Sequence, residues 1–185
     1  MSIIRADQWQ RSNGTNLGTV LQTKYVHKTN SWSGAPAGDT YLEIPGMSIS
    51  ITPFSLTSWF LINVTLFCST SASGYHEKFR IVRNGSTPSA LLGDAEGGRP
   101  RATGMINIYN AGNSDGQYNV GFLGGTWVDT PATTSPLTYR IDAAAYNGNT
   151  FYLNRSSTWQ NQPTLGYDAM PVSYTHLTLP TILRV

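Results

Sequence analysis

The sequence predicts an all-β fold, either a β-sandwich or a jelly roll, from three observations. Short runs rich in β-branched and aromatic residues alternate apolar and polar side chains with a period of two, as strands with one buried face do. Gly, Asn, Ser and Pro separate these runs, and the chain contains 18 glycines. Only 12% of the residues are charged, about half the usual share, and no helical periodicity lies between the runs.

The predicted strands number about nine or ten and follow one another closely along the chain. In the first half they cover residues 19–27, 40–44, 47–52, 58–68 and 78–82. In the second half they cover residues 103–109, 120–128, 137–146 and 150–154. The sequences RNG at residues 83–85 and NGN at residues 147–149 predict tight turns, because Asn and Gly tolerate positive φ.

The chain has the length expected of one domain. A protein of 185 residues and 20.2 kDa can bury about two-thirds of its unfolded surface. Residues 17–171 form the predicted sandwich domain, and residues 172–185 differ from it in character. Residues 1–16 form a candidate attachment segment that places three apolar side chains ahead of the flexible stretch SNGTN: Ile3, Ile4 and Trp9.

Composition argues against several classes of function. The formal net charge is +2 and no Lys/Arg cluster is present, so nucleic acid is not an expected partner. Cys68 is the one cysteine and is expected to be a small buried hydrophobe. The apolar run WFLINVTLF is broken by Asn63 and Thr65 and is too short to insert into a membrane. The first residues lack a signal-peptide pattern, so synthesis and release in a cytoplasm are expected.

Catalytic signatures are missing from the sequence. It contains no P-loop, GxGxxG, HExxH or GxSxG motif, and its acidic residues form no recognisable catalytic pattern. His27 and His76 lie in strand-like contexts and need no catalytic explanation. We therefore predict a protein without enzymatic activity, cofactor or metal. A glycosidase carboxylate pair assembled from distant strands stays open as an alternative.

The most polar loop, GDAEGGRPRATG at residues 93–104, is one candidate contact surface. Asp94 and Glu96 could offer oxygen ligands to a cation. Arg99 and Arg101 lie close in sequence and could instead pair with these carboxylates, which favours a solvated loop.

Two tryptophans in polar loops are further candidates for surface contact. Trp32 lies in NSWSG and Trp159 in SSTWQNQ. Either ring could stack on a sugar or a partner surface, or could fold back over an end of the sandwich. The stretch GNSDGQ at residues 112–117 lacks the spacing of a calcium loop, and an Asx-type turn explains it as well.

A succession of segments along the chain resembles a family of small β-rich virion proteins of tailed bacteriophages. The pieces are GTVLQTKYVHKT, SISITPFSLTSWFLINVTLF, FRIVRNGS, GDAEGGRPRATG and FLGGTWVDTPATTSPLTYRIDAAAYNGNTFYLNRS. Such proteins are common in environmental viral sequences and are usually described as tail fibre or structural proteins. The resemblance covers residues 17–172, and DTPATTSPLTYRI and YLNRS are its most specific parts.

This resemblance implies a jelly roll like the trimeric heads of the tumour-necrosis-factor and C1q type, displayed on a virion made in the bacterial host. The implied partners are copies of the chain in a homotrimer, other virion proteins, and a host-surface glycan or receptor. The family supplies no catalytic residues. Trp59 departs from the family pattern, which usually has a charged residue there. The resemblance therefore does not determine whether the outward side of that strand faces solvent. A carbohydrate-binding or carbohydrate-active module is the alternative.

The C-terminal residues do not follow the family pattern. The family closes with a strand of the type STITLMEI, whereas this chain ends PVSYTHLTLPTILRV. A nucleotide string that encodes residues 171–181 resembles the adaptor of transposase-based sequencing libraries. We interpret residues 172–185 as translated adaptor, and therefore exclude His176, Leu177 and Arg184 from functional argument.

This replacement tail is nevertheless expected to pair as a strand. Residues 172–179 favour an extended conformation beside the first strand, because the last strand of a jelly roll commonly lies there. Pro180 is expected to end the pairing, and residues 181–185 are expected not to pack.

Overall fold

The computed structural model describes residues 19–37, 40–71, 76–107, 120–157 and 175–183. The strands in these residues are β1 Thr19–Lys28, β2 Trp32–Gly34, β3 Leu42–Ile51, β4 Ser58–Thr70, β5 His76–Arg83, β6 Gly104–Asn107, β7 Gly121–Asp129, β8 Leu137–Ala145, β9 Phe151–Leu153 and β10 Thr175–Leu183. Two single 3₁₀ turns, Ser89–Leu91 and Tyr146–Gly148, are the helical elements of the described chain. None of these described helices could span a membrane.

The strands form two antiparallel sheets. In the first sheet β4 lies between β10 and β7, β1 pairs with the far side of β10, and β9 and β2 extend the sheet. The second sheet has the order β3, β8, β5, β6. Because consecutive strands repeatedly change sheet and the last described strand pairs with the first, the fold is a jelly roll. The predicted fold class is confirmed.

The core lies between the sheets and follows the alternation along the strands. In β4, every second residue from Ser58 to Cys68 is buried while the residues between are partly exposed. Burying one large apolar side chain stabilises the fold by about 1.5–3 kcal/mol. The largest side chains that are fully buried are Tyr139, Phe60, Phe79, Phe151, Ile44, Met47, Ile62, Leu66, Ile81, Leu91, Ile141 and Leu153.

One strand replaces the two predicted at residues 40–44 and 47–52. β3 runs through both, and its register against β8 shifts between Glu43 and Ser48. Gly46 has a φ of +80° within this irregularity, a conformation that glycine adopts without strain. The extra residues change the phase of the alternation, so Ile44 and Met47 are both buried although three positions separate them.

Both predicted tight turns are confirmed. Asn84 and Gly85 have φ values of 49° and 83°, and Asn147 and Gly148 have φ values of 55° and 77°. β2 was not predicted, because its three residues are too few to show an alternation. The last two residues of the predicted strand 103–109 lie outside the described residues.

The prediction that Pro180 ends the last strand is wrong. β10 runs through Pro180 to Leu183, and its backbone pairs with β1 on one side and β4 on the other. Pairing with β4 is interrupted between Thr178 and Thr181 and then resumes in the same register. This gap is expected of a residue without an N–H group, and pairing on both sides of the gap carries the strand past the proline.

Candidate functional site

The clearest candidate surface is the side of the first sheet that faces away from the core, here called the outer face. β4 contributes Trp59, Leu61 and Phe67, which are all partly buried. β7 contributes Phe122 and Val128, with exposed fractions of 55% and 47%. The two ends of β4 are therefore apolar on both sides, a pattern typical of strands that are covered on both faces.

Two apolar patches lie at opposite ends of the outer face. At one end Leu61 pairs with Val128 across the two strands. At the other end the rings of Phe67 and Phe122 meet edge to face, with 5.8 Å between their centroids. Tyr25 of β1, whose exposed fraction is 73%, adds a further aromatic side chain to this sheet.

Between these patches the outer face is polar. The Thr126 hydroxyl donates a hydrogen bond of 2.6 Å to the Asn63 side-chain oxygen. Next along β7, Gly124 packs so closely on β4 that a Cβ atom there would overlap the carbonyl oxygen of Val64. At this position the two strands therefore leave no space for a side chain on β7.

A groove of about 720 Å³ continues from the Leu61 and Val128 end of the outer face. Its lining residues are Leu56, Thr57, Ser58, Trp59, Val128, Thr130 and Ala132. Leu56 is 62% exposed. The indole Nε1–H of Trp59 is buried and has no hydrogen-bond acceptor among the described residues, although buried donors are nearly always paired.

Beside this groove, three side chains form an inter-sheet latch. The Asp129 carboxylate at the end of β7 accepts hydrogen bonds of 2.6 Å from Arg83 and 2.6 Å from the Tyr139 hydroxyl. Asp129 is 3% exposed. Because Asp129 belongs to the first sheet and its two donors to the second, the latch holds the sheets together at this end.

The environment of the latch shifts two pKa values. Burial, then the hydrogen bond and charge of Asp129, raise the pKa of Tyr139 above its ordinary 10.0. Burial alone would lower the pKa of Arg83, but the hydrogen bond to Asp129 and its charge outweigh burial and raise it. The latch therefore holds a neutral tyrosine and a charged arginine around one carboxylate.

A second charged group lies on the outward side of the other sheet. Arg140 donates to Asp142 at 2.8 Å and lies 3.1 Å from the Glu43 carboxylate. The hydrogen bond to Asp142 raises the pKa of Arg140 despite partial burial. One guanidinium contacts both carboxylates, which is the arrangement of a structural ion-pair network and differs from the acid and nucleophile pair of a glycosidase.

The polar loop behaves as predicted in part. Asp94 and Arg99 are exposed, and Arg99 pairs with Glu96 at 3.7 Å with both side chains 82% exposed. The prediction that Arg101 pairs with a carboxylate is wrong, because its guanidinium donates to the backbone carbonyls of Gly93 and Ser89. Carbonyl groups in this loop thus supply the partners that acidic side chains were expected to supply.

Trp32 lies in β2 and so does not belong to a loop as expected. It is half-buried, packs against the core, and lies with its ring centroid 6.3 Å from that of Phe151. The Trp32 ring therefore folds back onto the sandwich, which was the second of the two predicted alternatives. Trp159 and residues 112–117 lie outside the described residues, as do residues 1–16.

The remaining site predictions concern metal and thiol chemistry. Cys68 is a free, fully buried thiol, as expected, and burial followed by the charge of Glu77 raises its pKa. Within the described ranges, no three His, Cys, Asp or Glu side chains come together to hold a metal ion.

Sequence reasoning identified neither the outer face nor the latch. The signal for the outer face was present in WFLINVTLF, where the positions between core residues are themselves partly apolar. The latch had no such signal, because its residues come from three strands that only the folded topology brings together.

Comparisons with known proteins found a likeness to a solved viral structure. No family model and no curated protein matches the chain. Among solved structures, it is similar to the VP2 protein in the crystal structure of the infectious bursal disease virus subviral particle, with 10% identity and a TM-score of 0.39. The alignment covers 98% of this chain and 43% of the VP2 chain, so this chain spans less than half the length of that protein.

Proposed function

We propose that this chain is a non-enzymatic structural protein of a tailed-bacteriophage virion that assembles with copies of itself through the outer face. The observation that carries the assembly is the pair of apolar patches on that face. Aromatic and aliphatic side chains grouped on one sheet surface are typical of protein interfaces.

We propose a homotrimer as the assembly formed through this face. The resemblance of the sequence to virion proteins with trimeric jelly-roll heads supports three copies. About a three-fold axis each copy would contact two neighbours, so the outer face would contribute to two contacts and the ring would close.

The most specific part of the resemblance coincides with the inter-sheet latch. The sequence DTPATTSPLTYRI covers residues 129–141, so it contains both Asp129 and Tyr139 of the inter-sheet latch. A closed sandwich with a dense Ser, Thr and Asn surface suits a rigid display module on a particle. Other virion proteins and a host glycan or receptor are its proposed further partners.

Two matched threonine variants test the assembly. Thr126 and Thr138 are both exposed strand residues with one cross-strand side-chain hydrogen bond, at 2.6 and 3.1 Å, but only Thr126 lies on the outer face. Light scattering after size exclusion should give three times 20.2 kDa for the unmodified chain. Thr126→Lys should reduce this to the monomer mass because like charges would meet at the axis, whereas Thr138→Lys should remain trimeric.

The proposal fails at two distinguishable points. A monomer at every concentration, or a trimer that survives Thr126→Lys, would remove the outer face as an interface. For the virion assignment, mass spectrometry of density-purified particles from a phage that encodes this protein should detect its peptides. Particles without them would overturn that part.

A further inference from the structure

We infer that the groove at the end of the outer face is the docking site for the leading segment of this same chain, residues 1–18. This inference is independent of the proposed virion function. It rests on where the chain enters the first sheet and on the apolar lining of the groove.

The strand register places the chain entry beside the groove. Thr19 pairs with Leu183, and Leu183 pairs with Ser58, so these three residues form one row across β1, β10 and β4. Neighbouring strands lie about 4.8 Å apart, which puts Thr19 roughly 10 Å from Ser58. Ser58 is itself a lining residue of the groove.

Strand direction places the leading segment on the correct edge of the sheet. β1 and β4 are each antiparallel to β10, so they run in the same direction. β1 therefore begins at the same edge of the sheet as β4, where Leu56 and Thr57 precede Ser58 and line the groove. An extended chain crosses 10 Å in about three residues, so residues 1–18 have ample length to return.

The chemistry of the groove matches the leading segment. Leu56 and Val128 present exposed aliphatic groups, and the segment carries Ile3, Ile4 and Trp9. The stretch SNGTN between the apolar residues and β1 has the composition of a flexible connection.

Disulfide trapping in the full chain tests this inference. Cys68→Ala removes the native thiol, and Gln10→Cys places a thiol next to Trp9 without altering that ring. The second thiol is Thr130→Cys at the groove, or Met105→Cys as the matched control on the second sheet; both positions are exposed. Docking should make the intramolecular disulfide with residue 130 form about tenfold faster than with residue 105, because it raises the local concentration of the thiol.

Two further variants make the result decisive. Trp9→Ala removes the proposed anchor and Leu56→Arg obstructs the groove, and each should reduce the rate at residue 130 to that of the control. Equal rates at residues 130 and 105 in the starting chain would overturn the inference, and so would a preference that survives both changes. A disulfide between two chains would also overturn it, because the occupant would then be a neighbouring copy. A monomeric chain that shows the expected trapping would contradict the proposed assembly alone.

Discussion

Replacing Asp129 by asparagine should strongly destabilise the fold, because this carboxylate holds the two sheets together. Asp129→Asn preserves the size of the side chain but removes the charge that Arg83 and the Tyr139 hydroxyl both contact at 2.6 Å. Breaking a buried ion pair costs about 3–5 kcal/mol. The Arg83 side chain is 25% exposed, so water relieves part of that cost and we expect a loss of about 2–3 kcal/mol.

Urea unfolding followed by tryptophan fluorescence measures this loss. For a chain of this length, a loss of 2–3 kcal/mol lowers the Tm by about 4–12 °C. Tyr139→Phe removes one hydrogen bond and should cost about 1 kcal/mol. Because both changes affect one network, the double variant should differ from the sum of the single variants by more than about 0.5 kcal/mol.

An exposed ion pair provides the control for this prediction. Glu96 and Arg99 are both 82% exposed, so Glu96→Gln should change the free energy of unfolding by less than about 0.5 kcal/mol. If Asp129→Asn had as small an effect as Glu96→Gln, or if the cycle with Tyr139→Phe were additive, the latch would have no special role in joining the sheets.

Three other changes have outcomes that the structure predicts. The folded protein keeps Tyr139 protonated above its ordinary pKa of 10.0, whereas the unfolded chain loses that proton. The free energy of unfolding should therefore fall as the pH rises past 10. In urea titrations, Tyr139→Phe should reduce this slope by up to about 1.4 kcal/mol per pH unit. Gly124→Ala should cost about 1–3 kcal/mol because its Cβ would overlap the Val64 carbonyl, while Gly98→Ala, with open space around it, should leave the unfolding midpoint unchanged. Pro180→Val should stabilise the fold by about 0.5–1.5 kcal/mol by restoring an N–H to the ladder with β4. An STITLMEI-type ending in place of residues 172–185 should also raise the midpoint, and equal midpoints would show that β10 already pairs as well as such a strand.

The sequence predicts those features that depend on neighbouring residues. Alternation identified β4 and β8 nearly to their ends, and the Asn and Gly pairs identified the turns after β5 and β8. These features depend on the period of a strand and on permitted φ values, which are local properties. The two-layer fold followed because closely spaced strands with one buried face have few other ways to cover it.

Features that depend on pairing between distant segments could not be predicted in the same way. Strand propensity alone stops β10 at Pro180, but pairing with β1 and β4 continues it to Leu183. The hydrogen-bond partners of Arg101 depend on which carbonyl groups the fold places near its guanidinium. The latch required the register of three strands at once, and no periodicity in the sequence contains that register.

The position of β10 has a consequence for how the protein is made. The ribosome synthesises this strand after all the other described strands, yet it occupies an interior place between β1 and β4. Until β10 is inserted, both neighbours present unpaired backbone edges, and pairing across nearly the whole chain is slow because a large loop must close. The first sheet can therefore be completed only after its last strand has emerged, and nascent chains held close together on one polysome could exchange that strand before each has closed its own sheet.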